Sequence, residues 1–254
     1  MRVVTSPILA VLLALSGIAA AMTFDASARS PAVLPDGPVL VELFTSQGCS
    51  SCPPADRLLG RLAGEKGVVA LGYHVTYWDR LGWPDPFATA WGTRRQYGYG
   101  ETVSAGRIYT PQIVIDGRTH VVGSNEGQVR AEIAAASRGL HPATPVLRWM
   151  PDNRLQIVLP DAAEAAGAEI WLVRFDRRRE TAVQRGENGG RRLANFQVAR
   201  ERVSLGRFDG RARTLEAAVP SQGDAGWGVA VIVQQPGPGR VWGSALLDAP
   251  RPDA

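Results

Sequence analysis

Short apolar runs alternate with a helical pattern in the first part of the chain. Residues 39–45 form an apolar run that is typical of a buried strand, and residues 68–77 form a second such run. Between them, apolar residues recur at helical spacing over residues 58–63, and glycines follow at the end of that stretch. The pattern predicts a strand, a helix and a second strand in that order.

The next part of the chain predicts helical pieces followed by a hairpin. Residues 81–100 are rich in aromatic residues, Gly and Pro and are compatible with one or two helical pieces over a sheet. Residues 112–115 form a short apolar run, Asp116-Gly117 is a strong hairpin signal, and residues 119–122 return as a strand. Residues 125–137 then have the composition of a helix that ends near a glycine.

The character of the sequence changes near Pro142, where two prolines mark a predicted domain boundary. The remaining chain contains short strand-like segments without a long helical period, namely residues 146–150, 155–159, 169–175, 198–205, 213–219, 227–234 and 241–247. Such a series is typical of a small β-sandwich or barrel. We therefore predict an α/β domain over residues 38–141 and a β-rich, sandwich-like domain over residues 142–249.

The N-terminus has the features of a secretory signal peptide. Met1 and Arg2 precede an uncharged apolar run over residues 8–22, and small residues at 19–21 and 26–28 fit a cleavage site. The run is shorter than the roughly 20 residues that a membrane-spanning helix needs, although an uncleaved anchor is the alternative interpretation. We predict that residues 1–28 are removed and that a periplasmic or secreted protein remains, without a membrane anchor.

Composition and charge exclude several classes of protein. With 45% hydrophobic and 20% charged residues the chain is expected to be globular, and its formal net charge is only +4. Because this charge is not concentrated in one basic patch, we do not expect a nucleic-acid partner. Two cysteines are too few for a four-cysteine zinc site. Since the sequence contains no dinucleotide or phosphate loop, no organic cofactor is predicted, and no resident metal is predicted either.

The two cysteines carry the strongest chemical signal. Cys49 and Cys52 lie between the first predicted strand and the first predicted helix, and export places them where disulfides form and persist. A cysteine at a helix N-terminus ionises more readily than usual, and the thiolate is the nucleophile in disulfide exchange. In this interpretation Cys49 attacks and Cys52 resolves the mixed disulfide, while Ser50 and Ser51 supply hydroxyl donors.

The start of this helix is not decided by the sequence. If Pro53 is the first helical residue, the helix begins only at Cys52, and Cys49 lies outside the influence of the helix dipole. If the helix begins at Cys49 instead, Pro54 removes an internal hydrogen bond and should kink it. The two alternatives differ in how strongly Cys49 is activated.

The longer motif Glu42–Asp56 resembles, together with several separate motifs, a family of secreted thioredoxin-like proteins known as domain of unknown function 1223. The separate motifs are Tyr77-Trp78-Asp79, Gly82-Trp83, Asp85-Pro86-Phe87-Ala88, Tyr109-Thr110-Pro111-Gln112 and Arg185-Gly186-Glu187-Asn188. The resemblance covers nearly all of the predicted mature chain. It implies a thioredoxin-like fold for the α/β domain and a thiol site, and it establishes no substrate.

Three segments outside the Cys-x-x-Cys motif are further candidates for the site. In a thioredoxin-type site, a Pro at the position of Pro111 takes the cis form, and the backbone at Thr110 pairs with an extended substrate. Asp79, which follows the second predicted strand, is a candidate proton acceptor for Cys52, and a helix-capping role is its alternative. The stretch beginning at Arg185 is either a loop that packs onto the first domain, a partner-binding loop or a solvated turn.

These observations favour an exported thiol–disulfide oxidoreductase with Cys49, Cys52, Thr110, Pro111 and Asp79 in its site. Its expected partner is a protein or peptide that carries a thiol or a disulfide. One alternative is a non-enzymatic exported binding module in which the two cysteines form a permanent structural disulfide. A second alternative is a copper-binding thiol chaperone that uses both cysteines and one of the three histidines, which are His74, His120 and His141.

Overall fold

Eleven strands and three α-helices lie in the part of the chain that the structure, a computed structural model, describes, which is residues 37–219 and 226–250. The predicted signal peptide lies outside these ranges. In chain order the elements are β1 (Val39–Thr45), α1 (Pro53–Leu62), β2 (Val68–His74), α2 (Ala90–Thr102), β3 (Gln112–Ile115), β4 (Thr119–Val122), α3 (Glu126–Ala136), β5 (Val146–Met150), β6 (Arg154–Leu159), β7 (Glu169–Ala182), β8 (Arg192–Arg207), β9 (Arg213–Ala218), β10 (Trp227–Gln234) and β11 (Val241–Asp248).

One eight-stranded mixed sheet runs through the molecule in the order β11-β10-β7-β8-β2-β1-β3-β4. Strands β1, β2 and β8 run parallel to one another, and the other neighbouring strands pair antiparallel. The predicted hairpin is confirmed, since β3 and β4 are joined by a turn in which Asp116 and Gly117 both have positive φ angles. Positive φ angles at both positions explain the preference for an Asp-Gly pair in such turns.

Helices cover both faces of the β1–β2 region. Because side chains alternate along a strand, Val41 and Leu43 of β1 face α1 and α3, while Leu40 and Phe44 face α2. Helix α3 begins as its sequence indicates, since the side chain of Asn125 accepts a hydrogen bond from the backbone N–H of Gln128. None of the helices in residues 37–219 and 226–250 is long and apolar enough to cross a membrane.

A second, three-stranded sheet packs on the far half of the large sheet. Its order is β5-β6-β9, and all of its pairings are antiparallel. Its apolar side chains and those of β7 and β10 enclose a cluster that we call the sandwich core, which includes Leu155, Ile157, Leu159, Ile170, Leu172, Val229 and Val231. The predicted α/β fold with a β-rich, sandwich-like C-terminal part is thus confirmed.

The two predicted sequence segments share the large sheet, which the sequence did not indicate. Strand β8, from the C-terminal segment, pairs with β2 at Gly72 and Val198. A Cβ atom on Gly72 would lie 2.9 Å from the carbonyl oxygen of Phe196, and one on Gly60 would lie 2.8 Å from the ring of Phe196. Glycine at these two positions therefore permits the close approach of β8 to β2 and α1.

The β7–β8 hairpin is longer than its apolar pattern predicted. Both strands extend well beyond the predicted apolar segments. The added part of β7, residues 176–182, is rich in Arg, and the added part of β8 begins at Arg192. Cross-strand charge pairs stabilise this extension, for example between Glu180 and Arg192, because opposite charges on paired strands attract one another. The extension carries the connecting residues 183–191, which we call the hairpin tip, to the turn that follows β1.

Candidate functional site

Cys49 and Cys52 form a disulfide in the turn between β1 and α1. Their Cα atoms are 5.4 Å apart, and neither residue is exposed to solvent, with 0% of each surface accessible. The two residues between them, Ser50 and Ser51, are exposed. The hydroxyl oxygen of Ser51 lies 3.4 Å from Cys49 Sγ. The turn therefore presents hydroxyl groups to solvent and keeps its sulfur atoms beneath the surface.

The structure decides between the two predicted helix starts. Helix α1 begins at Pro53, and Cys52 is its N-cap residue. Pro53 and Pro54 occupy the first turn, where a backbone N–H has no partner inside the helix and its absence costs little. The backbone N–H groups of Ala55 and Asp56 both donate to the carbonyl oxygen of Cys52. Cys52 thus lies at the positive end of the helix dipole, and Cys49 lies outside the helix.

The hairpin tip covers the disulfide turn. The Asn188 side chain is fully buried, and its Nδ2 donates to the carbonyl oxygens of Gln47 and Cys49, each at 2.9 Å. Its Oδ1 accepts a hydrogen bond from Arg191, and the Glu187 carboxylate accepts one from the backbone N–H of Ser50 at 2.9 Å. This finding agrees with the interpretation in which the Arg185 stretch packs onto the first part of the chain.

Gln47 connects the disulfide turn to two other segments, the loop with Trp83 and Asp85 and strand β8. Its backbone N–H donates to Asp85 Oδ2 at 2.8 Å, and its side-chain amide donates to Asn195 Oδ1 at 2.8 Å. Its Oε1 accepts a hydrogen bond from the indole N–H of Trp83 at 3.1 Å. Because Gln47 is fully buried, these bonds satisfy polar groups that would otherwise destabilise the fold. They fix the backbone that leads into Cys49.

A buried ion pair lies beneath this network. His74 Nδ1 is 2.6 Å from Asp85 Oδ2, and both side chains are almost completely buried. Burial alone would lower the pKa of His74, but the attraction of Asp85 outweighs it and the net shift is upward. Burial likewise opposes ionisation of Asp85, yet His74 and the backbone N–H donors hold the pKa of Asp85 below its usual value.

Asp56 is a second buried carboxyl in the same region. It lies four residues after Cys52, about one turn of α1 further along the helix. Burial raises its pKa from 3.8 to about 6, and the nearby His74, with the Thr45 side chain, opposes part of that rise. Asp56 can therefore take up or release a proton close to neutral pH. Neither its burial nor this shift was visible in the sequence.

The Thr110–Pro111 peptide bond is cis and lies at the same end of the sheet as the disulfide turn. Strand β3 begins directly after Pro111 and pairs antiparallel with the end of β1, where Phe44 is opposite Gln112. Trp78 links the two segments, since its indole N–H donates to Thr110 Oγ1 at 2.8 Å. A Cβ atom on Gly48 would lie 3.3 Å from Cβ of Trp78, so the turn before Cys49 packs closely on that residue.

Asp79 lies on a short 3-10 helix (Thr76–Leu81) that follows β2. Its Oδ1 accepts a hydrogen bond from the backbone N–H of Asp85 at 3.1 Å. Partial burial raises the pKa of Asp79, and the negative charge of Asp85 adds to that rise. The observed bond positions the loop that carries Asp85, and the bond therefore connects Asp79 to the network around Gln47.

The other two histidines have partners outside the disulfide turn. His120 contacts the hydroxyl of Tyr109, and His141 Nε2 lies 2.7 Å from Asp116 Oδ2. Within residues 37–219 and 226–250, no group of three His, Cys, Asp or Glu side chains is arranged to hold a metal ion. The copper site formed from both cysteines and one histidine is thus not assembled in these ranges.

Sequence reasoning found the cysteines and the Thr110–Pro111 segment, but it did not assign the buried polar groups that surround them. Gln47, Asn195 and Asp56 were not singled out, and His74 was named as one of three histidines that could complete a copper site. Asn188 belongs to the stretch beginning at Arg185, for which the sequence left several locations open. The one signal for its role was that this Gly-rich stretch is too polar to lie in an apolar core.

These features define an α/β protein with a buried Cys-x-x-Cys disulfide between its first strand and first helix. The chain belongs to the family described as Protein of unknown function (DUF1223), whose model matches residues 40–234, and the predicted membership is confirmed. The chain is also similar to the crystal structure of protein AGR_C_4864 from Agrobacterium tumefaciens, with 30% identity, a TM-score of 0.71, and coverage of 84% of this chain and 94% of that one. No curated protein matches the chain.

Proposed function

We propose that this protein is an exported thiol–disulfide oxidoreductase that acts through Cys49 and Cys52 on protein or peptide substrates. One observation carries the proposal: the only two cysteines of the chain form a disulfide at the N-terminus of α1, at the sheet end where the cis Thr110–Pro111 bond lies. The predicted signal peptide supports a periplasmic or secreted location, where such a disulfide persists.

The proposed exchange begins with the oxidised protein. A substrate thiolate attacks Cys49 Sγ, the Cys49–Cys52 bond breaks, and Cys52 leaves as a thiolate at the helix N-terminus. The second substrate thiolate then attacks the substrate sulfur of the mixed disulfide and releases Cys49 as a thiolate. The substrate is oxidised by two electrons, and the protein is reduced by two electrons. The reverse sequence reduces a substrate disulfide by the same steps.

Three further groups have proposed roles in this exchange. The backbone at Thr110 and Pro111 would align an extended substrate beside the disulfide turn. Asp56 has a pKa of about 6 and lies one turn after Cys52, so it would accept or return the proton of the Cys52 thiol. Asp79 remains a second candidate for the same proton transfer. Its carboxylate accepts a hydrogen bond from the backbone N–H of Asp85, which lies in the network around Gln47.

Substrate access requires the hairpin tip to move. Both cysteines have no exposed surface, and Asn188 bonds the carbonyl oxygen of Cys49. A substrate thiolate must reach a sulfur atom in line with the disulfide, so the tip has to withdraw before the first step. The bonds from Asn188 are thus expected to limit the rate of exchange.

The same burial favours a second candidate function, a binding module with a structural disulfide. A bridge that is closed to solvent and fastened by Asn188 and Glu187 is protected from thiols. In that case the disulfide would only fix the turn between β1 and α1. The two functions predict different reduction potentials, because structural disulfides typically lie below about −300 mV and exchanging ones between about −120 and −270 mV.

The deciding experiment is the redox equilibrium of the purified mature protein in glutathione buffers, read by alkylation of free thiols. We expect a potential in the exchanging range. We also expect Cys49 of Cys52→Ser to attack a peptide disulfide, to keep one peptide sulfur in a mixed disulfide and to release the other as a thiol, since the resolving group is missing. Ser137→Ala, at an exposed position away from the cysteines, serves as a control. A potential below about −300 mV together with no mixed disulfide in Cys52→Ser would establish the structural role instead.

A further inference from the structure

A cavity lies between α2 and strands β7 and β8, away from the disulfide turn. Its volume is about 280 Å³. We call it the arginine pocket and define it by Trp91, Arg94, Arg95, Glu169, Trp171 and Arg202, which line it. Three guanidinium groups and two indole rings thus face one cavity, together with a single carboxylate.

Only one of the three arginines has its charge neutralised. Arg95 donates two hydrogen bonds to the buried carboxylate of Glu42, at 2.7 and 2.9 Å. Among the residues that the structure describes, neither Arg94 nor Arg202 forms a hydrogen bond or an ion pair. The Glu169 carboxylate accepts a hydrogen bond from the indole N–H of Trp171 at 3.2 Å. The pocket therefore has an excess of positive charge.

Arg202 is held in place by stacking. Its guanidinium carbon lies 3.8 Å from the centre of the Trp171 ring and 5.8 Å from that of Trp91. Burial and the positive charge of Arg95 both lower the pKa of Arg202, and the attraction of Glu169 and Glu42 opposes only part of that change. A planar guanidinium that is fixed on an indole and forms no ion pair with the described residues is preorganised for an incoming oxyanion, because little side-chain freedom remains to be lost on binding.

We propose that the arginine pocket binds a small organic anion through a carboxylate or phosphate group that pairs with Arg202 and Arg94. Guanidinium groups bind such oxyanions through paired, charge-assisted hydrogen bonds. The exposed part of the Trp91 ring offers an apolar surface for the body of the ligand. This binding site is independent of the proposed exchange at Cys49 and Cys52.

The test is a calorimetric titration of the purified mature protein with two probes at constant ionic strength, benzoate and inorganic phosphate, with chloride as the reference anion. We expect saturable binding of at least one probe. Binding of benzoate alone would support a carboxylate on a flat body, and binding of phosphate would support recognition of the oxyanion itself. The absence of saturable binding for both probes would overturn the proposal.

Matched variants make the test specific. Because a hydrogen bond to a charged group is lost, Arg202→Gln and Arg94→Gln should each weaken binding by about tenfold or more. Arg148→Gln removes an exposed arginine on β5 and should leave binding unchanged. Arg94 is exposed, so its replacement does not endanger folding even if that of Arg202 does. Equal affinities for Arg94→Gln, Arg148→Gln and the unaltered protein would overturn the proposed site.

Discussion

The β7–β8 hairpin contacts two regions of the molecule by different means. Near the open end of the hairpin, Ile170 and Leu172 pack in the sandwich core, where the buried neighbours are apolar. At the other end, the hairpin tip meets the disulfide turn through Asn188 and Glu187, and every contact named there is a hydrogen bond. One continuous element is therefore fixed by apolar packing at one end and by hydrogen bonds at the other, where Asn188 is also fully buried.

This difference indicates which contacts can open while the rest of the molecule stays folded. Apolar packing is spread over many atoms and adapts to substitutions of similar volume. A hydrogen bond between buried groups depends on two atoms, and its loss leaves one of them without a partner. The contact between the tip and the turn can therefore open through the loss of a few bonds, whereas the sandwich core has no comparable weak point.

The largest loss of stability is expected from a substitution that creates a cavity in the sandwich core. Leu155 is completely buried on β6, so Leu155→Ala should lower the free energy of unfolding by about 2–5 kcal/mol. The reduction potential of the disulfide should stay unchanged, because Leu155 belongs to the sandwich core and not to the disulfide turn. Urea unfolding and the glutathione equilibrium measure the two quantities.

Leu155→Met is the matched control, since a change that conserves volume should cost less than about 1.5 kcal/mol. A shift of the disulfide potential in Leu155→Ala, at a denaturant concentration where the protein is folded, would contradict the separation of the two regions. The two ends of the hairpin would then be energetically coupled.

The parts of the fold that the sequence predicted are those with local signals. Strand β1 is an apolar run interrupted only by Glu42, the β3–β4 turn has an Asp-Gly pair, and α3 lies in residues 125–137, which have the composition of a helix. The pairing of β8 with β2 depends on a contact between Gly72 and Val198, which are far apart in the chain. No local pattern specifies such a contact. The charged extension of β7 and β8 was missed because its strand pairing is stabilised by ion pairs that an apolar pattern does not reveal.

The candidate site likewise contains residues that local motifs indicated and residues whose roles depend on contacts distant in the sequence. Cys49, Cys52 and Thr110–Pro111 carry recognisable motifs, and the chain places them at one end of the sheet. The raised pKa of Asp56 arises from burial by segments distant in sequence, so neither spacing nor residue type could indicate it. The role of Asn188 likewise depends on the length of the hairpin that carries it to Cys49.

A second prediction concerns the buried charge near the disulfide turn, which the sandwich core lacks. The pKa of Asp56 rises from 3.8 to about 6 on folding, so the folded protein binds this proton more tightly than the unfolded chain. Between about pH 4 and pH 6 the unfolded chain releases the proton first, and the free energy of unfolding therefore falls as the pH rises. The fall attributable to Asp56 is on the order of 3 kcal/mol.

Asp56→Asn should remove that fall, which urea unfolding over a series of pH values would measure. The upward pKa shift of His74 acts in the same direction above its usual value of 6.5, and it should be smaller in the variant, because Asp85 still raises the pKa of His74 and the charge of Asp56 no longer does. Glu101→Gln, at an exposed position, should reproduce the pH dependence of the unaltered protein. If Asp56→Asn lost stability with pH as steeply as the unaltered protein, the assignment of the titrating group would be wrong.

The smallest expected change in stability tests the tip itself. Asn188→Ala removes the Nδ2 donor to the carbonyl oxygens of Gln47 and Cys49 without introducing a charge. Its cost should be about 1–2 kcal/mol, and the rate of disulfide reduction by dithiothreitol should rise by about tenfold as the tip withdraws. Gln184→Ala, an exposed change on the same tip, should alter neither quantity. An unchanged reduction rate in Asn188→Ala would mean that the tip does not limit access to Cys49, and that burial of the sulfur atoms has another cause.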